Sequence, residues 1–191
     1  MHSPQQPRIM PLGLRAAIGA LVFLLLLFAG LKTAHAAEII PSIGLSHTSD
    51  GDASQMFVAL GVRTGMMLPK TKAELNVGYR SEDYLDGLVQ LKTIPVTASL
   101  WVSPVPTLYF GGGGGAYFQT FTYDNSLVVP SSSDTQFGAH LGGGFRMPLA
   151  PMLGLDVNGR YVFLQEKTSS LSSGSFDPSF WSMSAGLAIG F

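Results

Sequence analysis

The sequence predicts an all-β protein, an eight-stranded antiparallel up-and-down transmembrane β-barrel, and three observations predict it. Eight segments alternate apolar residues with small or polar ones at a period of two, which is typical of strands and not of helices. The apolar faces carry aromatic residues near their ends, as a lipid-facing wall does. The connections between segments are alternately short and long, an asymmetry that membrane barrels show.

Residues 1–36 are predicted to be a cleaved signal peptide, which leaves a single barrel domain at 37–191. Two arginines precede an apolar run at 16–30, and Ala34 and Ala36 occupy the small-residue positions that a signal peptidase needs. A membrane anchor is the alternative, but this run is short against the roughly 20 residues of a spanning helix. The chain has no cysteine, which excludes a lipoprotein and any disulfide.

The charge of the predicted mature chain excludes one class of partner. It carries eight basic and twelve acidic side chains, a net charge of −4. No basic patch survives removal of the signal, so we expect no nucleic-acid partner.

The first four predicted strands lie at residues 38–47, 56–63, 73–80 and 94–102. The third, AELNVGYR, shows the alternation best, with Glu74 and Arg80 on the face opposite Leu75. Its polar face is predicted to point inward and its apolar face toward lipid, because its charged residues are too few and too interspersed with glycine to coat a surface in water.

The last four predicted strands lie at residues 108–122, 137–147, 153–163 and 179–191. In the last one, SFWSMSAGLAIGF, every residue of one face from Trp181 to Phe191 is apolar, and the other face is small or polar. Strands of this kind must close into a barrel, because an open sheet edge is not tolerated in lipid. A soluble β-sandwich with an export signal is the alternative architecture.

The run YFGGGGGAYF could be a flexible linker or part of a strand. Its aromatic flanks and its place between two strands favour a strand, since four strands alone would leave bare edges in the membrane. At period two, Gly111, Gly113 and Gly115 then face the lumen between Tyr109 and Tyr117. We expect these glycines to leave a smooth wall on which Trp101 or lumen arginines lie.

The connections are predicted to divide the barrel into two ends. Short, proline-rich connections lie at 64–70, 103–106 and 148–152, and longer polar ones at 48–55, 81–87, 124–135 and 165–177. Nine of the twelve acidic residues fall in the long ones: Asp50, Asp52, Glu82, Asp83, Asp86, Asp124, Asp134, Glu166 and Asp177. Long polar loops mark the end that faces the cell exterior.

Seven polar residues are predicted to line the lumen: Arg63, Glu74, Arg80, His140, Arg146, Asp156 and Arg160. Charges held away from water must be paired, and these side chains fit a structural ion-pair network. A gate or a polar path for small solutes is the alternative. Eight strands leave little open volume, which favours the structural interpretation.

No catalytic, cofactor or metal site is predicted. His47 has Ser46, Ser49 and Asp50 nearby, which are the ingredients of acyl transfer, but no Gly-x-Ser-x-Gly motif occurs. The acidic segments at 50–52 and 81–87 contain oxygen ligands suitable for Ca²⁺ or Mg²⁺ without the spacing of a known loop. They are interpreted as solvated surface, with divalent cations shared with lipopolysaccharide phosphates as a weaker alternative.

Four segments resemble the small outer-membrane barrels of Gram-negative bacteria, the superfamily around OmpA, OmpX and OmpW. They are LYFGGGGGAYF, FGAHLGGGFRMPL, LGLDVNGRYVFL and DPSFWSMSAGLAIGF. The resemblance implies an outer-membrane location after export to the periplasm. It also implies that Phe191, with Ile189 and Leu187 before it, is the signal read by the barrel-assembly machinery.

The resemblance does not fix an activity, because one fold serves many functions. We expect a monomeric, non-enzymatic protein without a cofactor, in contact with outer-membrane lipids and lipopolysaccharide, with a structural or surface-interaction role. The alternatives are a narrow OmpW-like channel for small molecules and a lipid A-modifying enzyme.

Overall fold

A computed structural model describes residues 37–49, 53–84, 89–123, 132–165, 167–168 and 175–191. Eight strands form the barrel: β1 (Ala37–Thr48), β2 (Gln55–Gly65), β3 (Thr71–Tyr84), β4 (Val89–Val105), β5 (Leu108–Tyr123), β6 (Ser132–Ala150), β7 (Leu153–Phe163) and β10 (Phe180–Gly190). The two-residue strands β8 (Lys167–Thr168) and β9 (Ser175–Phe176) form a separate hairpin.

The eight strands close into one barrel in the order β1-β10-β7-β6-β5-β4-β3-β2. Every neighbouring pair is antiparallel, and β1 closes the sheet against β10 with Ile39 opposite Ile189 and Thr48 opposite Phe180. The predicted fold class is therefore confirmed. Within the described ranges, no helix is long and apolar enough to cross a membrane.

The two ends of the barrel differ in their connections. At the turn end, strands are joined at residues 66–70, 106–107 and 151–152, and both Ala37 and Phe191 lie there. At the loop end, the barrel strands are joined through 49–54, 85–88, 124–131 and 164–179.

Two of the predicted loops are shorter than expected, because β3 and β6 extend further. The predicted loop at 81–87 is wrong over its first half, since β3 runs to Tyr84, and residues 132–135 belong to β6. Strands β4, β5 and β6 have 17, 16 and 19 residues, more than the 11 or 12 of β1, β2, β7 and β10. One side of the barrel is thus taller than the other at the loop end.

The outer wall is apolar along every strand. Its exposed side chains include Leu60, Leu141, Phe145, Met183 and Leu187. Outward faces of this kind are stable in lipid, which is the medium that requires a closed sheet. Residues of the opposite parity point inward and are mostly buried or half-buried.

The glycine run is the middle of β5, paired along its whole length with β4 and β6. Glycine is required here by close approach of the strands. A Cβ atom at Gly111 would lie 1.9 Å from the carbonyl oxygen of Leu100, and one at Gly113 would lie 1.9 Å from that of Ala98. The strand interpretation of this run is confirmed.

Candidate functional site in the barrel lumen

All seven residues predicted for the lumen lie on the inner faces of β2, β3, β6 and β7. The structure divides six of them among three groups of side chains at different heights in the barrel. A cavity separates two of these groups. His140 lies beside that cavity.

The central group, here named the Arg63 network, consists of Arg63, Glu74, Tyr109, Asp156, Asn158 and Arg160. Arg63 lies directly opposite Glu74 in the β2–β3 register. Its Nη2 is 2.6 Å from Glu74 Oε2, and its Nη1 is 2.8 Å from Asp156 Oδ2 across the lumen. One guanidinium therefore forms ion pairs with two buried carboxylates at once, as its fixed fork geometry allows.

Arg160 completes the network from the opposite wall. Its Nη2 lies 2.5 Å from Glu74 Oε1, and its Nε donates to Asn158 Oδ1 at 2.6 Å. Tyr109 joins the two halves: its hydroxyl donates to Asp156 at 2.7 Å and accepts from Asn158 Nδ2 at 3.1 Å. The two carboxylates thus share two arginines, which offsets the cost of burying them.

Aromatic rings close the remaining space around the network. Trp101 is fully buried and meets Tyr109 edge to face, with ring centroids 5.3 Å apart. Arg160 stacks 5.1 Å from the Trp101 ring centroid, and Arg63 stacks 4.5 Å from that of Tyr109. Such cation–π contacts keep the arginines in place across the lumen.

The second group, the Arg80 cluster, lies nearer the loop end and contains Thr48, Arg80, Glu82 and Phe180. Arg80 Nη2 pairs with Glu82 and donates to Thr48 Oγ1 at 2.6 Å. Thr48 Oγ1 lies 2.7 Å from Glu82 Oε1, and the guanidinium stacks 3.9 Å from the Phe180 ring centroid. These four side chains narrow the lumen at this height.

The third group lies at the turn end, where Glu38 pairs with both Lys72 and Arg146. The Lys72 Nζ to Glu38 Oε1 distance is 3.1 Å. Lys72 and Arg146 are more accessible than the arginines of the Arg63 network, so water screens their attraction to Glu38 more strongly.

Glu38 and Glu82 were missing from the predicted lumen set. The sequence prediction placed Glu82 in an outer loop, which is wrong: Glu82 is buried on β3. Alternation at period two would have placed both inside. Glu82 lies on the same face of β3 as Glu74 and Arg80, and Glu38 begins the inward-facing series of β1. With them, the four predicted arginines each have a carboxylate partner.

A cavity of about 60 Å³, here named the chamber, lies between the Arg63 network and the Arg80 cluster. One side is lined by the serines of β1 and β10: Ser42, Ser46, Ser182 and Ser184. The other side presents Tyr117 and His140. The Tyr117 hydroxyl, His140 Nδ1 and Arg80 Nε are buried without a hydrogen-bond partner in the described residues. A cavity of this size, with these polar groups in its lining, has room for several water molecules.

One serine–histidine contact lies in the lumen. Ser99 Oγ and His140 Nε2 are 2.8 Å apart and buried, a pair that is not among the sequence predictions. His140 Nδ1 has no partner among the described residues, whereas a catalytic triad requires a carboxylate there. We therefore assign this contact to packing.

The other acyl-transfer candidates are not brought together. Ser46 is buried in the lumen, whereas His47 faces outward with its ring 6.0 Å from that of Trp181. Ser49 contacts the Tyr161 hydroxyl at 3.3 Å, and Asp50 lies outside the described residues.

The acidic segments proposed as weak cation sites are only partly described. Residues 50–52 and 85–87 of these segments lie outside the described ranges. Across the part of the chain that the structure describes, no cluster of three or more His, Asp or Glu side chains could hold a metal ion.

The predicted assembly-signal residues lie at the turn end of the barrel. Leu187 and Ile189 are exposed on the outer wall, and the Phe191 N–H donates to the Ala37 carbonyl at 3.0 Å. Their role in assembly stays a prediction.

Solved structures similar to this chain share one architecture. Neisserial surface protein A matches with a TM-score of 0.55 and 14% identity over 82% of this chain and 96% of its own. Ail, the attachment invasion locus protein of Yersinia pestis, matches with a TM-score of 0.53 and 15% identity over 83% and 100%. A major outer membrane protein of Thermus thermophilus matches with a TM-score of 0.55 and 16% identity over 82% and 100%.

This chain folds as a small outer-membrane β-barrel. The predicted superfamily resemblance is confirmed at the level of the fold, and the predicted outer-membrane location agrees with it. No protein-family model and no curated protein sequence matches the chain. These similarities therefore show the fold alone, and the role of this barrel has to be argued from its own residues.

Proposed function

We propose that this protein is an integral outer-membrane barrel with a structural or surface-interaction role, whose lumen is a filled support and whose outer loops meet partners. One observation carries the proposal: the Arg63 network crosses the lumen from β2 and β3 to β7 through buried, mutually paired charges. Separating such charges is costly, so the network favours a rigid plug over an open path.

The charge at the loop end indicates the kind of surface that such loops would meet. Because Glu82 lies in the lumen, eight acidic residues remain in or near the long connections, where the basic residues are Lys92 and Lys167. A structure of Ail contains the heparin analogue sucrose octasulfate. We expect the loops of the present chain to repel such polyanions and to favour basic partner surfaces, or phosphate groups bridged by divalent cations.

Two experiments test this proposal together: the flux of small solutes into liposomes and the replacement of one outer loop in cells. Protein reconstituted in liposomes should admit small sugars and amino acids no faster than vesicles without protein. In cells, replacing residues 124–131 with a short Gly-Asn-Gly connection should weaken adhesion or another surface phenotype while the heat-modifiable folded band persists on gels. Flux at the rate of a porin would contradict the proposal.

A narrow channel is the second candidate, and the chamber is the observation that favours it. It provides a space between the Arg63 network and the Arg80 cluster, which are two of the three side-chain groups that a solute would have to pass. This hypothesis requires measurable conductance in planar bilayers, increased by Arg80→Ala. Its matched comparison is Arg146→Ala, which removes an arginine from the more accessible turn end.

A lipid A-modifying enzyme receives no support from the described geometry, since neither histidine site has the third member of a triad among the described residues. Overexpression should leave the lipid A profile unchanged. A new acylated or deacylated lipid A species, lost in His140→Phe or in a His47 variant, would reverse this conclusion.

A further inference from the structure

Three polar groups around the chamber have no hydrogen-bond partner among the described residues. They are the Tyr117 hydroxyl, His140 Nδ1 and Arg80 Nε, on side chains that line the chamber and are 1%, 1% and 4% exposed. Leaving a buried polar group without a partner is costly, and native proteins do so rarely. Three such groups around one cavity indicate that the cavity has an occupant.

Each of these groups is held in place by contacts that leave its unpartnered atom free. The Tyr117 ring meets the Phe180 ring nearly at a right angle, with centroids 6.2 Å apart, and Arg80 stacks 3.9 Å from the centroid of the same ring. His140 is fixed by its Nε2, which lies 2.8 Å from Ser99 Oγ. A site that is ordered before binding loses little freedom when a ligand arrives.

The chemistry of these groups requires a ligand with acceptor atoms. The Nε–H of Arg80 can only donate a hydrogen bond, and the Tyr117 hydroxyl can donate one as well. His140 Nδ1 becomes a third donor in the tautomer in which Ser99 donates its hydroxyl proton to Nε2. Oxygen atoms that accept from two or three of these groups would satisfy them together.

The charges around the chamber favour an anion. Glu82 pairs with the Nη2 side of Arg80, which leaves the Nε edge of that guanidinium to the chamber. In the same lumen Arg63 already pairs with two carboxylates, so a second acceptor on Arg80 repeats an arrangement that this barrel contains. Among the described residues, the lining holds three guanidinium groups and two carboxylates: Arg63, Arg80, Arg160, Glu74 and Asp156.

The chamber is also partly apolar, which narrows the choice of anion. Ile40, Ala59 and Pro95 belong to its lining, together with Ser42 and Ser46, whose hydroxyl groups make only long hydrogen bonds of 3.4 and 3.5 Å. An inorganic anion would place its charge against the apolar part, whereas an alkyl group would pack there. A volume of about 60 Å³ limits the ligand to a few non-hydrogen atoms.

We propose that the chamber binds a small monocarboxylate with a short alkyl group, whose oxygens accept hydrogen bonds from Arg80 Nε and the Tyr117 hydroxyl. The ligand displaces the water that the chamber has room for. This inference goes beyond the structural role proposed above, and it requires no path through the Arg63 network. An impermeable barrel and an occupied chamber are therefore compatible, and separate experiments test them.

The Nε–H resonance of Arg80 reports binding directly. Protein labelled with ¹⁵N-arginine is refolded in detergent micelles with increasing sodium acetate, and Arg80→Lys identifies the resonance by its loss. Acetamide, which has the shape of acetate without its charge, and sodium chloride at the same ionic strength are the comparisons. We expect a saturable shift with acetate and none with the other two.

Two outcomes of this titration would overturn the proposal. An equal shift with sodium chloride would mean that salt alone moves the resonance, and an equal shift with acetamide would assign the chamber to neutral solutes. The absence of any saturable shift with acetate would also overturn it, and would leave water as the occupant.

A single hydroxyl group tests the assigned contact. A ligand that binds the folded barrel raises its urea midpoint by mass action, so acetate should raise that of the unmodified protein. Tyr117→Phe should abolish this increase, and its midpoint without acetate should not fall, because the lost hydroxyl has no partner among the described residues. Tyr161→Phe is the matched control, since it removes a hydroxyl from the outer wall, where Tyr161 contacts Ser49. A full acetate response in Tyr117→Phe, or its loss in Tyr161→Phe, would contradict the assignment.

Discussion

Two walls of the lumen are built from small residues, and only one of them is covered by larger side chains. The glycine wall lies on β5 and β6 and consists of Gly111, Gly113, Gly115, Gly138, Gly142 and Gly144. The serine wall lies on β1 and β10, nearly opposite, and consists of Ser42, Ser46, Ser182 and Ser184. The chamber borders the serine wall, whereas the Arg63 network and its aromatic neighbours reach the glycine wall.

The covering of the glycine wall is visible at individual positions. A Cβ atom at Gly144 would lie 2.3 Å from the Tyr109 ring, and one at Gly142 would lie 3.1 Å from Arg160 Cγ. Trp101 itself packs against Tyr109 and His140, so Tyr109 and Arg160 are the side chains that lie on the β6 part of this wall. The expectation for Gly111, Gly113 and Gly115 stays a prediction.

The serine wall differs because each residue keeps a hydroxyl group. Ser42 Oγ reaches the Ala59 carbonyl at 3.4 Å, and Ser46 Oγ reaches that of Gln55 at 3.5 Å, both long contacts. Hydroxyl groups with such weak protein partners keep hydrogen-bonding capacity toward the chamber. Glycine thus makes room for a neighbouring side chain, whereas the serines border the free volume of the chamber.

The largest effect is expected from the side chains that the glycine wall accommodates. Arg63→Met should lower the free energy of unfolding by about 3–5 kcal/mol, because Asp156 and part of Glu74 are left buried without their cation. Urea titration of the refolded protein in detergent micelles, followed by tryptophan fluorescence, measures it.

Two further variants control this prediction. Arg146→Met removes a more accessible arginine and should cost much less. Arg63→Met combined with Asp156→Asn should recover part of the loss, since it also removes the stranded charge. A double variant as unstable as the sum of the two single ones would mean that the pair does not couple.

The sequence was sufficient for the architecture and the faces of the strands. Alternation at period two depends only on which side chains tolerate lipid, so the sequence alone could place Arg63, Glu74 and Arg160 inside the barrel. The predicted loop boundary at Glu82 was wrong because a polar run is equally compatible with a loop and with the inward face of a strand.

Other features required three-dimensional register. Ser99 and His140 lie on different strands, and their contact depends on how β4, β5 and β6 are staggered. The chamber could not be predicted either, because its volume depends on which large side chains lean toward the glycine wall. Alternation tells which residues face inward but not the direction in which they bend.

The second-largest loss of stability is expected from a single methyl group added to the glycine wall. Gly113→Ala should lower the free energy of unfolding by about 2–4 kcal/mol, because the new Cβ would meet the Ala98 carbonyl at 1.9 Å and force β5 away from β4. Gly159→Ala is the matched control, since its Cβ meets nothing closer than 3.9 Å. Equal urea midpoints for the two variants would contradict the close approach of β4 and β5.

The smallest effect is expected from a methyl group added to the serine wall. Ser184→Thr keeps the hydroxyl and places one extra carbon beside the chamber, which has free volume to receive it. We expect a change within about 0.5 kcal/mol, since threonine also favours strands. The same urea titration, run beside Gly113→Ala, compares one methyl group on each wall. A loss as large as that of Gly113→Ala would mean that the serine wall is as tightly packed as the glycine wall, and that the chamber is not a space that a guest could occupy.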